Sequence, residues 1–189
     1  MEVEIQITKR SALSKGETKR LRRAGAIPCV IYAQNKTPEH VSLPADAFAE
    51  VIRNIESGFL PTTIFTLVDE KGKKIKTIVK DIQYNVTNYD VIHLDFLELV
   101  DNQPVVVKVP VECINQIDCV GVKAGGFLRF VMRHVKVECS TPNVIPSFFQ
   151  IDVKELGLNQ FKRVSDLAIP KGVQPVGRTD DIVVTIVKR

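Results

Sequence analysis

The sequence predicts a mainly β protein: an α+β domain with two or more helices over residues 1–100, followed by an all-β domain over residues 101–189. Short segments in which apolar and polar residues alternate recur along the whole chain, as expected of half-buried strands. Helical periodicity is concentrated before residue 100. Beyond it the chain becomes short valine-rich runs separated by proline and glycine, which is typical of all-β domains.

The composition is that of an ordinary globular protein, with 44% hydrophobic and 25% charged residues. The net charge is +4, yet residues 1–100 hold 14 lysines and arginines against 13 acids. The basic residues of this part can attract a polyanion only where they are clustered. This favours a localised binding surface over non-specific binding along nucleic acid. No apolar stretch approaches the roughly 18 residues that span a bilayer, and no signal peptide is evident. We therefore expect a cytoplasmic protein without a membrane partner.

The first strand is predicted over residues 2–8, where Val3, Ile5 and Ile7 alternate with polar residues. A helix follows over residues 15–24. Ser14 and Glu17 have the spacing of a capping box, in which each side chain accepts a hydrogen bond from the other residue's backbone N–H. Gly25 supplies a residue that tolerates the left-handed conformation at the helix end.

This helix combines a wide cationic face with a thin apolar seam. Its basic residues are Lys15, Lys19, Arg20, Arg22 and Arg23, and its one acid is Glu17. A solvated surface helix is the alternative interpretation, but such helices usually mix charges to form salt bridges. The near absence of acids favours contact with nucleic acid or phosphate.

Five more strands and a second helix complete the predicted N-terminal domain. The strands cover residues 27–33, 40–43, 62–69, 74–85 and 91–97. The helix, over residues 45–55, places Phe48, Val51, Ile52 and Ile55 on one face, so we expect it to pack on the core. Gly72 predicts a tight hairpin turn between the third and fourth of these strands. The lysines around it, Lys71, Lys73, Lys74 and Lys76, either contact phosphate or protect a sheet edge, and edge protection is slightly favoured.

A row of polar side chains is predicted on one face of the last two strands of this domain. His93 and Asp95 alternate with apolar residues that face the core. In the preceding strand Asp81, Gln83 and Asn85 lie on the matching polar face, and Ile82, Tyr84 and Val86 face the core. The predicted polar row consists of Gln83, His93 and Asp95. Such a row suits contact with the edges of bases. No nucleophile accompanies it, so we do not assign it catalysis.

The predicted strands of the C-terminal domain cover residues 104–113, 134–139, 148–153 and 182–188. Residues 121–127 are predicted to be rich in turns. Gly125 and Gly126 match no phosphate-loop motif and are interpreted as hairpin glycines. Cys139 continues the inward side of its strand, which predicts a buried and inert thiol.

The sequence indicates no enzyme, no cofactor, no metal site and no small-molecule substrate. The four cysteines form no CxxC pair, and with three histidines they give no zinc-binding spacing. We interpret all four as reduced thiols.

The chain resembles the long form of the bacterial large-subunit ribosomal protein twenty-five family, also called the general stress protein CTC family. The similarity runs almost end to end and rests on three motifs in the family's order. They are KGETKRLRRAGAIPCVIYA, VIHLDF and VKAGGFLRFVMRHVKVECSTPNVIPSFFQIDV.

The resemblance implies an N-terminal small β-barrel with helices, an all-β C-terminal domain, and binding of 5S ribosomal RNA within the large ribosomal subunit. The basic helix of the family lies along the minor-groove side of an irregular internal loop of the RNA. Neighbouring ribosomal proteins are further expected partners, through the C-terminal domain. The residues expected to bind RNA are Arg10, Lys15, Thr18, Lys19, Arg20, Arg22, Arg23, Tyr32, Gln83, His93 and Asp95.

Two alternative functions stay open at this point. The first is a different RNA-binding role on a similar barrel, such as a transfer-RNA anticodon-binding module. The second is a stress-associated protein-interaction module, in which the C-terminal domain binds a protein partner.

Overall fold

The computed structural model describes residues 2–11, 14–33, 36–101 and 103–188. The chain forms two compact units, Met1–Asp101 and Asn102–Arg189. In the described ranges, no helix is long and apolar enough to cross a membrane.

The first unit is a closed barrel of six strands with two α-helices, which confirms the barrel that the resemblance implied. A short 3-10 helix, Leu60–Thr62, precedes the fourth strand. The elements are β1 Glu2–Lys9, α1 Lys15–Arg23, β2 Ala26–Tyr32, β3 Glu39–Pro44, α2 Ala45–Asn54, β4 Ile64–Asp69, β5 Lys74–Tyr84 and β6 Val91–Glu98.

The strand order around the barrel is β1-β3-β2-β6-β5-β4, and β1 closes the ring by pairing in parallel with β4. Strand β2 therefore lies beside β6, which is distant in sequence, and pairs with it in parallel. This arrangement sets the outer faces of β2, β6 and β5 side by side. Their polar side chains consequently share one surface.

The barrel core is built on three phenylalanines. Phe48 of α2 lies 6.2 Å from Phe65 of β4, and Phe65 lies 6.0 Å from Phe96 of β6, measured between ring centroids. All three are fully buried. Val51 and Ile52 pack against the same core from α2, so the apolar face predicted for this helix is confirmed. Burial of such side chains contributes about 1.5–3 kcal/mol each, which fixes α2 on the barrel.

The predicted inward orientation of Tyr84 and Val86 is wrong. Tyr84 is 48% exposed and Val86 is 89% exposed. Strand β5 ends at Tyr84, so Val86 lies in the following turn and has no sheet face. A register shift between Gln83 and Tyr84 also interrupts the alternation at this point.

The lysine-rich turn between β4 and β5 has the predicted glycine, because Gly72 adopts a φ of 77°. The interpretation of its lysines as edge protection is wrong. Both β4 and β5 have a neighbouring strand on each side in the closed barrel, so neither is an edge. Lys74 forms an ion pair with Glu4 of β1, whereas Lys71 and Lys73 are exposed on the turn.

The second unit contains two sheets, in agreement with the predicted all-β domain. The first sheet has the order β10-β7-β9-β12 and the second has the order β11-β13-β8. The elements are β7 Val105–Ile114, α3 Val120–Lys123, β8 Gly126–Phe130, β9 His134–Cys139, β10 Phe149–Asp152, β11 Phe161–Arg163, β12 Val173–Pro175 and β13 Ile182–Lys188.

The segment predicted to be rich in turns contains the short helix α3, and its glycines are not hairpin glycines. Gly125, with a φ of 87°, follows the end of α3, and Gly126 opens β8. A Cβ atom on Gly126 would lie 2.7 Å from Leu158 Cδ2 and 2.8 Å from the Gly121 carbonyl oxygen. Gly126 is therefore required for close packing between α3 and β8.

Candidate nucleic-acid interface

Helix α1 is fixed by hydrogen bonds at both ends. The Glu17 backbone N–H donates to Ser14 Oγ at 3.4 Å, and the Ser14 N–H donates to the Glu17 carboxylate at 2.8 Å, which confirms the predicted capping box. At the other end Gly25 has a φ of 78°, and its carbonyl oxygen accepts from the Ala45 N–H at 2.8 Å. The helix is thus joined to the start of α2.

Four basic side chains of α1 are exposed, with no partner in the part of the chain that the structure describes. Among the residues that the structure describes, none forms a hydrogen bond or ion pair with their charged groups. Solvent screens such charges when the protein is free, and no ion pair within the described ranges offsets their mutual repulsion. The four residues are Lys15, Lys19, Arg20 and Arg23.

Arg22 is exposed but anchored to the barrel. Its Nε donates to the carbonyl oxygen of Ile92 at 3.0 Å. Ile92 is the extra residue on β6 at the register shift, because Gln83 pairs with His93 and Tyr84 pairs with Val91. The shift leaves that carbonyl outside the strand ladder, and Arg22 satisfies it.

Two residues before α1, Lys9 and Arg10, and one within it, Thr18, have polar groups already engaged within the protein. Lys9 Nζ lies 3.0 Å from Glu39 and 3.3 Å from Asp69, and these carboxylates raise the pKa of Lys9 above 10.5. Arg10 donates through Nε to the Val41 carbonyl oxygen at 2.9 Å and through Nη2 to that of Cys29 at 3.4 Å.

The Thr18 hydroxyl donates to the Ser14 carbonyl oxygen at 3.1 Å. Arg10 and Thr18 therefore have less capacity for external contacts than the exposed side chains of α1. Their contact with RNA stays a prediction.

The predicted polar row lies on the outer face of β5 and β6. Gln83 and His93 are direct cross-strand partners, and His93 Nδ1 lies 2.8 Å from Asp95 Oδ1. Tyr32 of β2 is the register partner of Leu97, two positions beyond Asp95 on β6, so its side chain lies on the same face as Asp95. Burial raises the pKa of Tyr32, and the Asp95 and Asp81 carboxylates raise it further. The four predicted residues thus share one surface.

Asp81, which the alternation of β5 predicts on this face, also belongs to this surface, although it is not among the residues expected to bind RNA. Its register position is directly opposite Asp95, so two carboxylates are adjacent on neighbouring strands. Such a pair is unfavourable in isolation. Carboxylates accept hydrogen bonds from base amino groups and 2′-hydroxyls but repel phosphate, so the row suits contact with bases and sugars rather than with the RNA backbone.

The thiols do not form a reactive centre. Cys29, Cys119 and Cys139 are buried, and burial raises the pKa of Cys113 to about 11. The described part of the chain contains no cluster of three or more His, Cys, Asp or Glu residues suited to a metal ion. The surface formed by α1 and the polar row can attract anionic groups through the cations of α1 and can form hydrogen bonds through the polar row.

Two families match the chain over adjacent ranges. The Ribosomal L25p family matches residues 5–96, which include the barrel from β1 into β6. The family described as Ribosomal protein TL5, C-terminal domain, matches residues 104–189.

Curated relatives are similar over the whole chain. The large ribosomal subunit protein bL25 of Chlamydia trachomatis serovar L2 is 44% identical over 187 residues, which cover 99% of this chain and 100% of that protein. The proteins of the same name from Chlamydia muridarum and Chlamydia pneumoniae are 44% and 42% identical over the same shares.

Proposed function

The chain belongs to the ribosomal L25p family, and on this premise we propose that it binds 5S ribosomal RNA through α1 and the polar row. It is a structural constituent of the large ribosomal subunit, acts in translation in the cytoplasm, and is not an enzyme.

The observation that carries the proposal is the set of four unpartnered cations on α1. Lys15, Lys19, Arg20 and Arg23 are exposed and have no acidic partner among the described residues. RNA phosphates supply the missing negative charge, and release of condensed counterions on binding makes the affinity fall steeply with salt. The cationic face is therefore suited to the phosphates that flank a groove.

The polar row supplies the second part of the interface. In A-form RNA the shallow minor groove exposes 2′-hydroxyls and base edges, and an irregular internal loop widens access to them. Gln83, His93 and Asp95 provide donors and acceptors for those groups, while α1 contacts the backbone. Arg22 supports this division of roles, because its bond to Ile92 holds the helix beside the row.

The experiment that tests the proposal is recovery of the tagged full-length chain from a cell lysate, followed by sequencing of the bound RNA. We expect enrichment of 5S ribosomal RNA. Enrichment of transfer RNA instead would favour the anticodon-binding alternative and contradict the proposal. Cosedimentation of the chain with large subunits should also be lost when 5S RNA is removed.

A further inference from the structure

A cleft of about 630 Å³ lies in the first unit beside the C-terminal end of α1. One wall is the first two turns of α2 and Arg53, and the other is the connection between β5 and β6. Arg22 lines it from α1, so the cleft adjoins the cationic face. The RNA contacts proposed above use no other residue of this cleft.

The aromatic side chains beside the cleft are unusually exposed. Tyr84 is 48% exposed and Tyr89 is 78% exposed. Together with Val86 they are the exposed large hydrophobic residues of the described part of the first unit, and all three fall within six consecutive positions. Single exposed apolar residues are common, but a cluster of this kind indicates a contact surface.

The turn that carries Tyr89 is held by its own hydrogen bonds. The Asn85 N–H donates to the Asp90 carbonyl oxygen at 2.8 Å, and the Tyr89 N–H donates to that of Asn85 at 2.9 Å. Asn85 Oδ1 also accepts from the Thr87 N–H at 3.2 Å and hydroxyl at 3.0 Å. Tyr89 itself has a φ of 59°, a left-handed conformation that a bulky side chain disfavours and that is often found at functional sites.

The positive and negative charges that line the cleft are equal in number, so the cleft favours an uncharged ligand group. Arg22 and Arg53 contribute two positive charges, and Asp46 and Asp90 contribute two negative ones. A phosphate would gain little from such a lining. A planar, neutral group with hydrogen-bonding edges would gain both aromatic stacking and polar partners, and an unstacked nucleobase is such a group.

We propose that this cleft receives one unpaired base of the RNA that α1 contacts, stacked on the ring of Tyr84 or Tyr89. The inference rests on the proposed function, because continuity through Arg22 places the cleft within reach of the same RNA. The cleft would add a specificity-determining pocket to a surface that otherwise contacts the RNA backbone and the minor groove. A flat segment of a protein partner is the alternative occupant of the cleft.

The test is chemical probing of 5S ribosomal RNA, free and bound to the full-length chain, with a reagent that modifies unpaired bases. The wild-type protein should protect an unpaired base that regains full reactivity with the double variant Tyr84→Leu/Tyr89→Leu. The affinity for 5S RNA should fall about tenfold, because loss of one base stacked on an aromatic ring weakens binding by about that factor. The dependence of affinity on salt should stay unchanged, because no charge is removed.

Two control variants separate loss of the rings from damage to the turn. Tyr89→Phe keeps the ring and should bind as the wild type does, and Val86→Ala removes an exposed apolar side chain of the same turn without a ring. Protection and affinity that are unaltered in the double variant would overturn the inference and favour a protein occupant, with the proposed function intact. Failure of the wild-type chain to bind 5S RNA would instead reject the proposed function.

Discussion

Arg22 connects three parts of the first unit. It belongs to the cationic helix, it satisfies the Ile92 carbonyl oxygen at the register shift of β6, and it lines the cleft beside α2. Its role in our account is therefore to position α1 against the polar row. A guanidinium suits this role because its donors lie in a rigid plane, whereas a lysine ammonium is a flexible point charge.

We predict that Arg22→Lys weakens binding to 5S RNA several-fold, while Arg23→Lys leaves it near the wild-type value. Both substitutions keep the positive charge, but only the first removes the bond to Ile92. The slope of log affinity against log salt should be unchanged in both, because no charge is lost. Filter binding at several salt concentrations measures both quantities, and equal affinities of the two variants would contradict the positioning role.

His93 is predicted to contribute to discrimination more than to general affinity. Its Nδ1 lies 2.8 Å from Asp95 Oδ1, and both side chains belong to the polar row rather than to α1. His93→Ala should reduce binding to the native internal loop more than to RNAs with altered loops, with little change in the salt slope. A competition assay with matched loop variants measures the ratio, and an equal loss on every RNA would refute this role.

At the scale of one element, the capping box of α1 couples helix order to pH. The Ser14 N–H and then the Ser14 hydroxyl hold the pKa of Glu17 below its ordinary value of 4.5. Because the folded-state pKa is the lower one, the contribution to stability is present above pH 4.5 and is lost as the pH falls through the folded-state pKa. The helix end should therefore loosen in acid.

We predict that Ser14→Ala destabilises the start of α1 by about 1 kcal/mol. Hydrogen exchange at the Glu17 amide, which donates to Ser14 Oγ, should become about fivefold faster at neutral pH. Ser11→Ala is the matched control, since Ser11 is exposed and lies outside the helix. Exchange that is equally fast in the wild type and the Ser14 variant would rule out the cap as a source of helix order.

In the second unit, the contact between α3 and β8 depends on the absence of a side chain at Gly126. We predict that Gly126→Ala lowers the free energy of unfolding by about 1–3 kcal/mol, because the added methyl group must displace the Gly121 carbonyl and Leu158. Gly157→Ala is the control, since its Cβ would come no closer than 3.4 Å to Gln160. Urea titration followed by circular dichroism compares them, and equal midpoints would contradict the packing argument.

Local signals explain which elements the sequence could predict. The cap, the charges and the terminal glycine of α1 all lie within a dozen residues, so its limits were readable to within one residue. The orientation of Tyr84 depended on a register shift created by pairing with β6, which no pattern within β5 reveals. Strands β11 and β12 have three residues each, too few for an alternation to be visible.

At the scale of the whole molecule, neighbours distant in sequence decided which candidate residues are available. The polar row could be predicted because β5 and β6 are consecutive strands and form a hairpin. The position of Tyr32 beside this row could not, because it depends on the parallel pairing of β2 with β6, which is distant in sequence. The sequence alone offered no reason to expect Arg10 to be less available for RNA contact than Lys15. In the fold it donates to the carbonyl oxygens of β2 and β3.

The positive charge of the chain is small in total but concentrated on α1. A net charge of +4 on 189 residues is modest, so strong binding to RNA requires that the cations be concentrated where no acid neutralises them. Helix α1 meets this condition, with four exposed basic side chains that have no partner in the described ranges. Equivalent charges elsewhere on the surface should contribute little to 5S RNA binding.

The most direct test is filter binding of the full-length chain to 5S ribosomal RNA over a range of salt concentrations, for Lys15→Ala/Lys19→Ala and for the control Lys136→Ala/Lys171→Ala. Both double variants remove two exposed lysines. We predict that the α1 variant loses affinity and that its salt slope decreases by about two, since each lost phosphate contact reduces the slope by about one. The control should keep both values, and equal losses in the two variants, or none in either, would contradict α1 as the RNA-binding element.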